Sequence, residues 1–255
     1  VWPMLKPELF KGIREPWKGI LLFGPPGCGK TLLAKAVASE CNAVFFNVSA
    51  AAIMSKWLGE SEKNVSLLFE VARKFSPSVI FIDEIDSLLT MRGLEEVGGE
   101  RRVKTQFLVE LDGLRSRSGE KIIVLGATNR PWDLDPAVIR RFERRIYVPL
   151  PDLEARKEIF RIHLRGIELA KDVDLNELAE LTVGYSGSDI KFICKNAAME
   201  PIREFMSKGP PEGEVEVRPV CKKDFIKALK EVNEEVALKE DLEKVVAKMA
   251  TKEDL

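Results

Sequence analysis

Up to about residue 150, short apolar runs alternate with longer amphipathic stretches. Gly19–Phe23, Val44–Val48, Ser78–Ile82, Lys121–Thr128 and Arg144–Val148 read as strands, the first four with little polar interruption. Between them lie helical stretches: one opening at Thr31, one from about Glu60 to Lys74, and one from about Glu100 to Leu111. In the second of these, Val65, Leu68, Phe69 and Ala72 fall on one side. Continuous apolar strands separated by helices imply a parallel sheet covered on both faces. Pro149-Leu150-Pro151 ends the rhythm, and from there the apolar spacing is helical over 154–165, 174–182, 187–206 and 222–232. Pro210-Pro211-Glu212-Gly213 reads as a loop. The predicted organisation is a large α/β domain over 1–151, a small helical domain over 152–235 and a C-terminal helix over 236–255.

Composition narrows the function classes. A chain of 255 residues can bury a large core as one domain or two. The charged fraction is high at 32%, yet the net charge is −1 with both signs interspersed. That argues against a dominant nucleic-acid surface while leaving room for a local basic ring. No apolar run approaches the ~18 residues of a membrane span. Cys28, Cys41, Cys194 and Cys221 form no C-x-x-C pair and no metal spacing, which fits packing residues in a reduced, cytoplasmic setting. Gln106 is the single glutamine among many lysines and glutamates, a composition that leans toward a thermophilic source. The chain begins Val1-Trp2 without methionine or signal peptide, so a piece of a longer protein is expected.

One octapeptide carries most of the chemistry. Gly24-Pro25-Pro26-Gly27-Cys28-Gly29-Lys30-Thr31 matches the phosphate-binding pattern G-x-x-x-x-G-K-[ST], between a strand and a helix as that mechanism requires. The glycines let backbone N–H groups converge on one point, and the helix dipole adds positive potential there. Lys30 is expected to reach the β- and γ-phosphates of ATP, and the Thr31 hydroxyl to ligate Mg²⁺. About fifty residues on, the strand Ser78–Ile82 ends in Asp83-Glu84, where open α/β sheets put their ligands. Asp83 suits Mg²⁺, and Glu84 suits activation of a water attacking the γ-phosphate.

These two motifs, with Gly126-Ala127-Thr128-Asn129-Arg130-Pro131 and Arg140-Arg141-Phe142, resemble the AAA ATPases from about Pro3 to Val232. The resemblance implies a P-loop NTPase sheet sandwiched by helices, followed by a helical lid. It implies that Asn129 is the first sensor beside the γ-phosphate. Arg140 and Arg141 become arginine fingers reaching a neighbouring subunit's nucleotide. Leu32 joins residues 24–31 as nucleotide-binding, and His163, Gly187 and Ser188 join them from the lid. His163 admits two readings, a contact to adenine and a domain-hinge histidine. In Gly184-Tyr185-Ser186-Gly187-Ser188-Asp189, the start of the second-sensor helix, Asp189 is expected to cap the helix. A second-sensor arginine is missing there. The family's Asp-x-Gly-Gly segment, which cradles the base, is expected before residue 1.

The finer resemblance is to the clade of ESCRT-III-remodelling ATPases, katanin and spastin. Ser55-Lys56-Trp57-Leu58-Gly59 looks like its first pore loop, and Phe142–Pro151 also looks like this clade. On spacing alone, Trp57 is equally a polypeptide-gripping residue and a loop anchor; the resemblance favours gripping. Gly93–Arg102 looks like a second pore loop, in which Arg101 and Arg102 either contact acidic substrate or begin a solvated helix face. Within the clade the sequence most resembles the vacuolar-sorting ESCRT-III ATPase and its archaeal cell-division relatives. Glu96–Arg102 and Pro131-Trp132 favour the archaeal branch, and a segment 208–220 too short for an inserted β-domain favours that branch or katanin-like and generic unfoldase relatives. The function so implied is a homo-oligomeric ring, a hexamer when ATP-bound, that pulls on ESCRT-III-like filament proteins. It meets membranes only through its substrate and does not bind nucleic acid directly. A katanin-like severing enzyme or general unfoldase is the alternative within the class, and a low-turnover nucleotide switch the alternative outside it.

Overall fold

Five of the apolar runs form one sheet with every pairing parallel, in the order β2-β3-β4-β1-β5. In the computed structural model, residues 9–10, 14, 16–53, 60–89, 98–116, 120–207 and 217–232 are described. The strands are β1 (Gly19–Phe23), β2 (Val44–Ser49), β3 (Ser78–Asp83), β4 (Ile122–Thr128) and β5 (Arg144–Tyr147). The connecting helices are α1 (Lys30–Glu40), α2 (Ala50–Ile53), α3 (Glu60–Lys74), α4 (Asp86–Leu89), α5 (Gly98–Ser116) and α6 (Pro136–Ile139). The chain divides into two compact units, 1–149 and 150–255.

Alternation along the strands explains why both faces of the sheet are covered. Leu21, Ile80, Ile82 and Val124 join Phe69 and Phe107 in one buried cluster. Leu22, Val79, Phe81 and Leu125 join Ala34 and Ala38 in another. Phe69 of α3 and Phe107 of α5 meet edge to face at 5.9 Å, and each contributes roughly 2–3 kcal/mol by leaving water. The small residues Ala34 and Ala38 form the buried side of α1. The helix predicted to stop near Leu111 continues to Ser116, because Leu111 and Leu114 keep the buried period at 1% and 0% exposure. It also begins at Gly98, so Arg101 and Arg102 stand exposed on its first turns, with Arg102 3.3 Å from Glu62. Lys56, Trp57 and Leu58 and the expected C-terminal helix lie outside the described residues.

The second unit contains α7 (Leu153–His163), α8 (Leu175–Leu181) and α9 (Gly187–Met206). A last helix, α10, covers residues 222–232. Phe160, Leu178, Ile190, Ile193, Ala197, Phe225 and Leu229 make its own core. The N-cap of α9 is Ser186 and not Asp189: Ser186 accepts the Asp189 N–H, while Asp189 accepts the Ser186 N–H, completing a capping box. Asp189 thus acts from the third helical position. Among the described residues, no helix is long and apolar enough to cross a membrane.

An ion cluster closes this unit. Arg218 donates to both carboxylate oxygens of buried Asp224, at 2.7 and 2.9 Å, and to Glu204 on α9. Burial alone would raise the Asp224 pKa. The Arg218 guanidinium and the Cys221 N–H and thiol outweigh it and hold the carboxyl at about 2, below the ordinary 3.8. A folded value below the unfolded one stabilises the fold above the unfolded pKa and is lost as pH falls through the folded value. Asp224→Asn should therefore remove about 2 kcal/mol at neutral pH. The difference from wild type should shrink between pH 4 and 2, as thermal unfolding monitored by circular dichroism would show. A constant offset across that range would sink the assignment.

Candidate active site

The carboxyl ends of β1, β3 and β4 bring the phosphate loop, the acidic pair and Asn129 to one edge of the sheet. β1 lies between β4 and β5 while the chain leaves it for β2 at the far edge, and the ligand crevice of an open sheet forms at such a switch. Register fixes the neighbours: Phe23 stands opposite Thr128, and Ile82 opposite Gly126. The Gly24 N–H reaches the Thr128 carbonyl at 3.4 Å, which puts Asn129 one residue from the start of the loop.

The loop needs its glycines. Gly24, Gly27 and Gly29 have φ of 149°, 75° and 86°. A Cβ on Gly24 would sit 2.2 Å from the Val148 carbonyl oxygen, so alanine does not fit. Gly29 caps α1 in a left-handed conformation and supplies no side-chain acceptor to the N–H groups of the first turn. Those groups remain for an anion. Lys30 is buried at 7% exposure, and its Nζ donates to the carbonyls of Gly24 at 2.9 Å and Pro25 at 2.8 Å. Desolvation lowers its pKa, offset in part by the charges of Cys28 and Asp83.

Thr31 Oγ1 donates to Asp83 Oδ2 at 2.9 Å, which joins the two predicted metal ligands. Hydroxyl and carboxylate oxygens are hard donors that suit Mg²⁺, an ion that takes few protein ligands and completes its shell with phosphate and water. Among the described residues, no group of three His, Cys, Asp or Glu side chains gathers elsewhere as a metal site. Glu84 follows directly and is exposed. Its φ is 50°, a left-handed value unusual outside glycine. Three bonds hold it there: its N–H donates to Asp83 Oδ1 at 3.0 Å, and its carbonyl accepts the Ser87 N–H at 2.9 Å and Ser87 Oγ at 2.8 Å. Such a conformation costs about 1–3 kcal/mol and persists where its surroundings over-determine it.

The arginine pair lies elsewhere. Arg140 and Arg141 follow α6, and a Cβ on Gly19 would be 2.7 Å from the Arg141 carbonyl oxygen. They are therefore at the opposite end of β1 from the phosphate loop, about 16 Å away at ~3.3 Å per residue. Their states differ. Arg141 Nε contacts both carboxylate oxygens of Asp112, at 3.1 and 3.0 Å, and its NH1 reaches the Ala137 carbonyl. Arg140 is exposed and makes no ion pair among the described residues.

His163, Gly187 and Ser188 belong to the second unit, where His163 ends α7 and the other two open α9. Desolvation, then the charge of Lys191, lowers the His163 pKa, so the neutral imidazole is favoured. Asp86 and Asp112 carry no motif signal of their own, and Thr128 lies inside the 126–131 motif without a role assigned to it, so sequence reasoning misses what these three do. Asp86 lies two residues after Glu84, and Asp112 becomes visible only through its contact with Arg141.

Comparisons with known proteins converge. The family model described as "ATPase family associated with various cellular activities (AAA)" matches residues 20–150, and the AAA+ lid domain model matches residues 172–211. The A1 form of the katanin p60 ATPase-containing protein from Strongylocentrotus purpuratus is 48% identical over 98% of the chain and 50% of its own length. The A-like 1 form from Homo sapiens is 48% identical over 96% of the chain and 52% of its own. The chain thus spans about half the length of these curated relatives. The crystal structure of the FIGL-1 AAA domain in complex with ADP superposes with a TM-score of 0.81 and 48% identity, over 91% of this chain and 77% of that one. A structure from work on katanin self-assembly gives 0.74 and 43%, over 90% and 77%. These relatives are katanin and FIGL-1 proteins; they lend no support to the vacuolar-sorting or archaeal branch to which the finer resemblance pointed.

Proposed function

Because the chain belongs to the AAA ATPase family, we propose that it hydrolyses ATP in a ring of identical copies and uses the cycle to sever or dismantle a protein polymer, as a katanin-like enzyme. The observation that carries this reading is the separation of the arginine pair from its own phosphate loop. A copy alone has Lys30, Thr31, Asp83, Glu84 and Asn129 at one end of β1 and its fingers at the other. The finger at a given γ-phosphate then comes from another copy, and turnover depends on assembly. The similarity to a structure obtained for katanin self-assembly supports the same point.

Within one site, the glycine-shaped loop and the first turn of α1 hold the phosphates, and Lys30 moves from the loop carbonyls to the phosphate oxygens. Thr31 and Asp83 would hold Mg²⁺, which would supply charge neutralisation to the transferring phosphoryl group when bound. Glu84 accepts a proton from the attacking water, and Asn129 orients that water or the γ-phosphate. Arg140, free of ion pairs among the described residues, is the finger ready to cross. Arg141 must first leave Asp112. Trp57, between Lys56 and Leu58, supplies an aromatic grip on an extended polypeptide.

Rate measurements and a polymer assay test the proposal. ATPase activity per copy should rise steeply with protein concentration, and Arg140→Ala should lower the assembled rate by ~10³-fold or more while a single copy still binds nucleotide. Mixing Arg140→Ala with Glu84→Gln should restore part of the rate, since each variant supplies what the other lacks. No recovery despite co-assembly would exclude fingers acting in trans. For the polymer, microtubules and ESCRT-III-like filaments are incubated with enzyme and ATP. Severing of microtubules with filaments left intact supports the katanin-like reading; the reverse returns the function to filament remodelling.

A further inference from the structure

Two side chains outside the phosphate motifs join the Glu84 loop to the Asn129 turn. Thr128, the last residue of β4, is buried at 1% exposure. Its Oγ1 donates to Asp86 Oδ1 at 2.6 Å and accepts the Arg130 N–H at 2.9 Å. The second bond spans Asn129, so one hydroxyl closes the turn that presents the sensor. Beside it, the N–H of fully buried Ile85 donates to the Ala127 carbonyl at 3.0 Å. Residues 84–86 are thereby tied to residues 127–130 by one backbone bond and one charge-assisted side-chain bond.

We infer that Asp86 and Thr128 are positioning residues for hydrolysis, a clamp that keeps the Glu84 carboxylate and the Asn129 amide in fixed register. The inference rests on reading Glu84 as the water-activating residue. Glu84 stands in a left-handed conformation, which surrounding contacts must hold. Packing alone does not call for a hydroxyl here: every residue of β4 is buried, and Gly126 and Ala127 beside it are apolar. A short bond to a carboxylate is also stronger than a neutral one and restricts the rotamer more tightly. Displacing a water-activating group by about 1 Å costs ~10²-fold in rate.

The test uses the full chain in its assembled state. Thr128→Val keeps shape and removes the hydroxyl; Asp86→Ala removes the acceptor from a less buried position. Each is expected to lower kcat by at least about tenfold, with ATP affinity, read by titration with a fluorescent analogue, within about twofold of wild type. Thr128→Ser and Asp86→Asn, which keep donor and acceptor, are expected to regain most of the rate. The double variant Asp86→Ala/Thr128→Val should be no slower than the worse single one, because Thr128→Val alone already removes the bond to Asp86 together with the one from the Arg130 N–H. A folded Asp86→Ala or Thr128→Val with wild-type kcat would overturn the clamp. So would a parallel loss of ATP affinity, or a failure of serine and asparagine to rescue. Glu84→Gln, measured alongside, separates the two readings: if it turns over normally the assignment of Glu84 fails, whatever the clamp variants do.

Discussion

Replacing Glu84 with glutamine is expected to slow hydrolysis by ~10²–10⁴-fold while ATP binding stays intact. Glutamine keeps the length and can keep the backbone bonds to Asp83 and Ser87, which involve the main chain of residue 84. What disappears is the carboxylate proposed to take the proton of the attacking water. Thr31 and Asp83 are untouched and still pair at 2.9 Å, so metal and phosphate binding should survive. The variant should accumulate with ATP bound and favour larger assemblies, visible by light scattering. Single-turnover phosphate release near the wild-type rate would exclude Glu84 as the water-activating residue.

Lys30→Ala should act one step earlier and remove tight ATP binding. The ammonium is buried, and it bonds two loop carbonyls, with no carboxylate among its hydrogen-bond partners in the described residues. Phosphate oxygens offer stronger partners for the same donors. Two charge-assisted bonds amount to ~3–6 kcal/mol, or ~10²–10⁴-fold in affinity. Alanine is tolerated at the start of a helix, so the fold should remain. Titration with fluorescent ATP checks this, and an unchanged dissociation constant would sink the phosphate-loop assignment.

Local signals in the sequence carry much of the fold. The strand β1 and the helix α3 have the bounds that their apolar runs and periodicity suggest, Gly19–Phe23 and Glu60–Lys74. The phosphate loop is legible because its chemistry is contiguous in sequence. Where reading fails, the deciding contact is distant or a close competitor wins. Ser186 and Asp189 are both good caps, and only the backbone geometry shows that serine holds the cap position. The bond between Thr128 and Asp86 joins residues 42 apart and requires the register of β3 against β4. The contrast between Arg140 and Arg141 likewise depends on Asp112, 29 residues before Arg141.

The left-handed backbone at Glu84 sets folding against chemistry. Glycine or asparagine would occupy that position with less strain, so a lineage selected only for heat resistance would drift away from glutamate there. A library screened for surviving protein, without an ATP assay, should enrich inactive chains at this codon first. On the proposed reading of Glu84, the strained left-handed torsion is what the fold gives up to place the water-activating carboxylate at the catalytic edge.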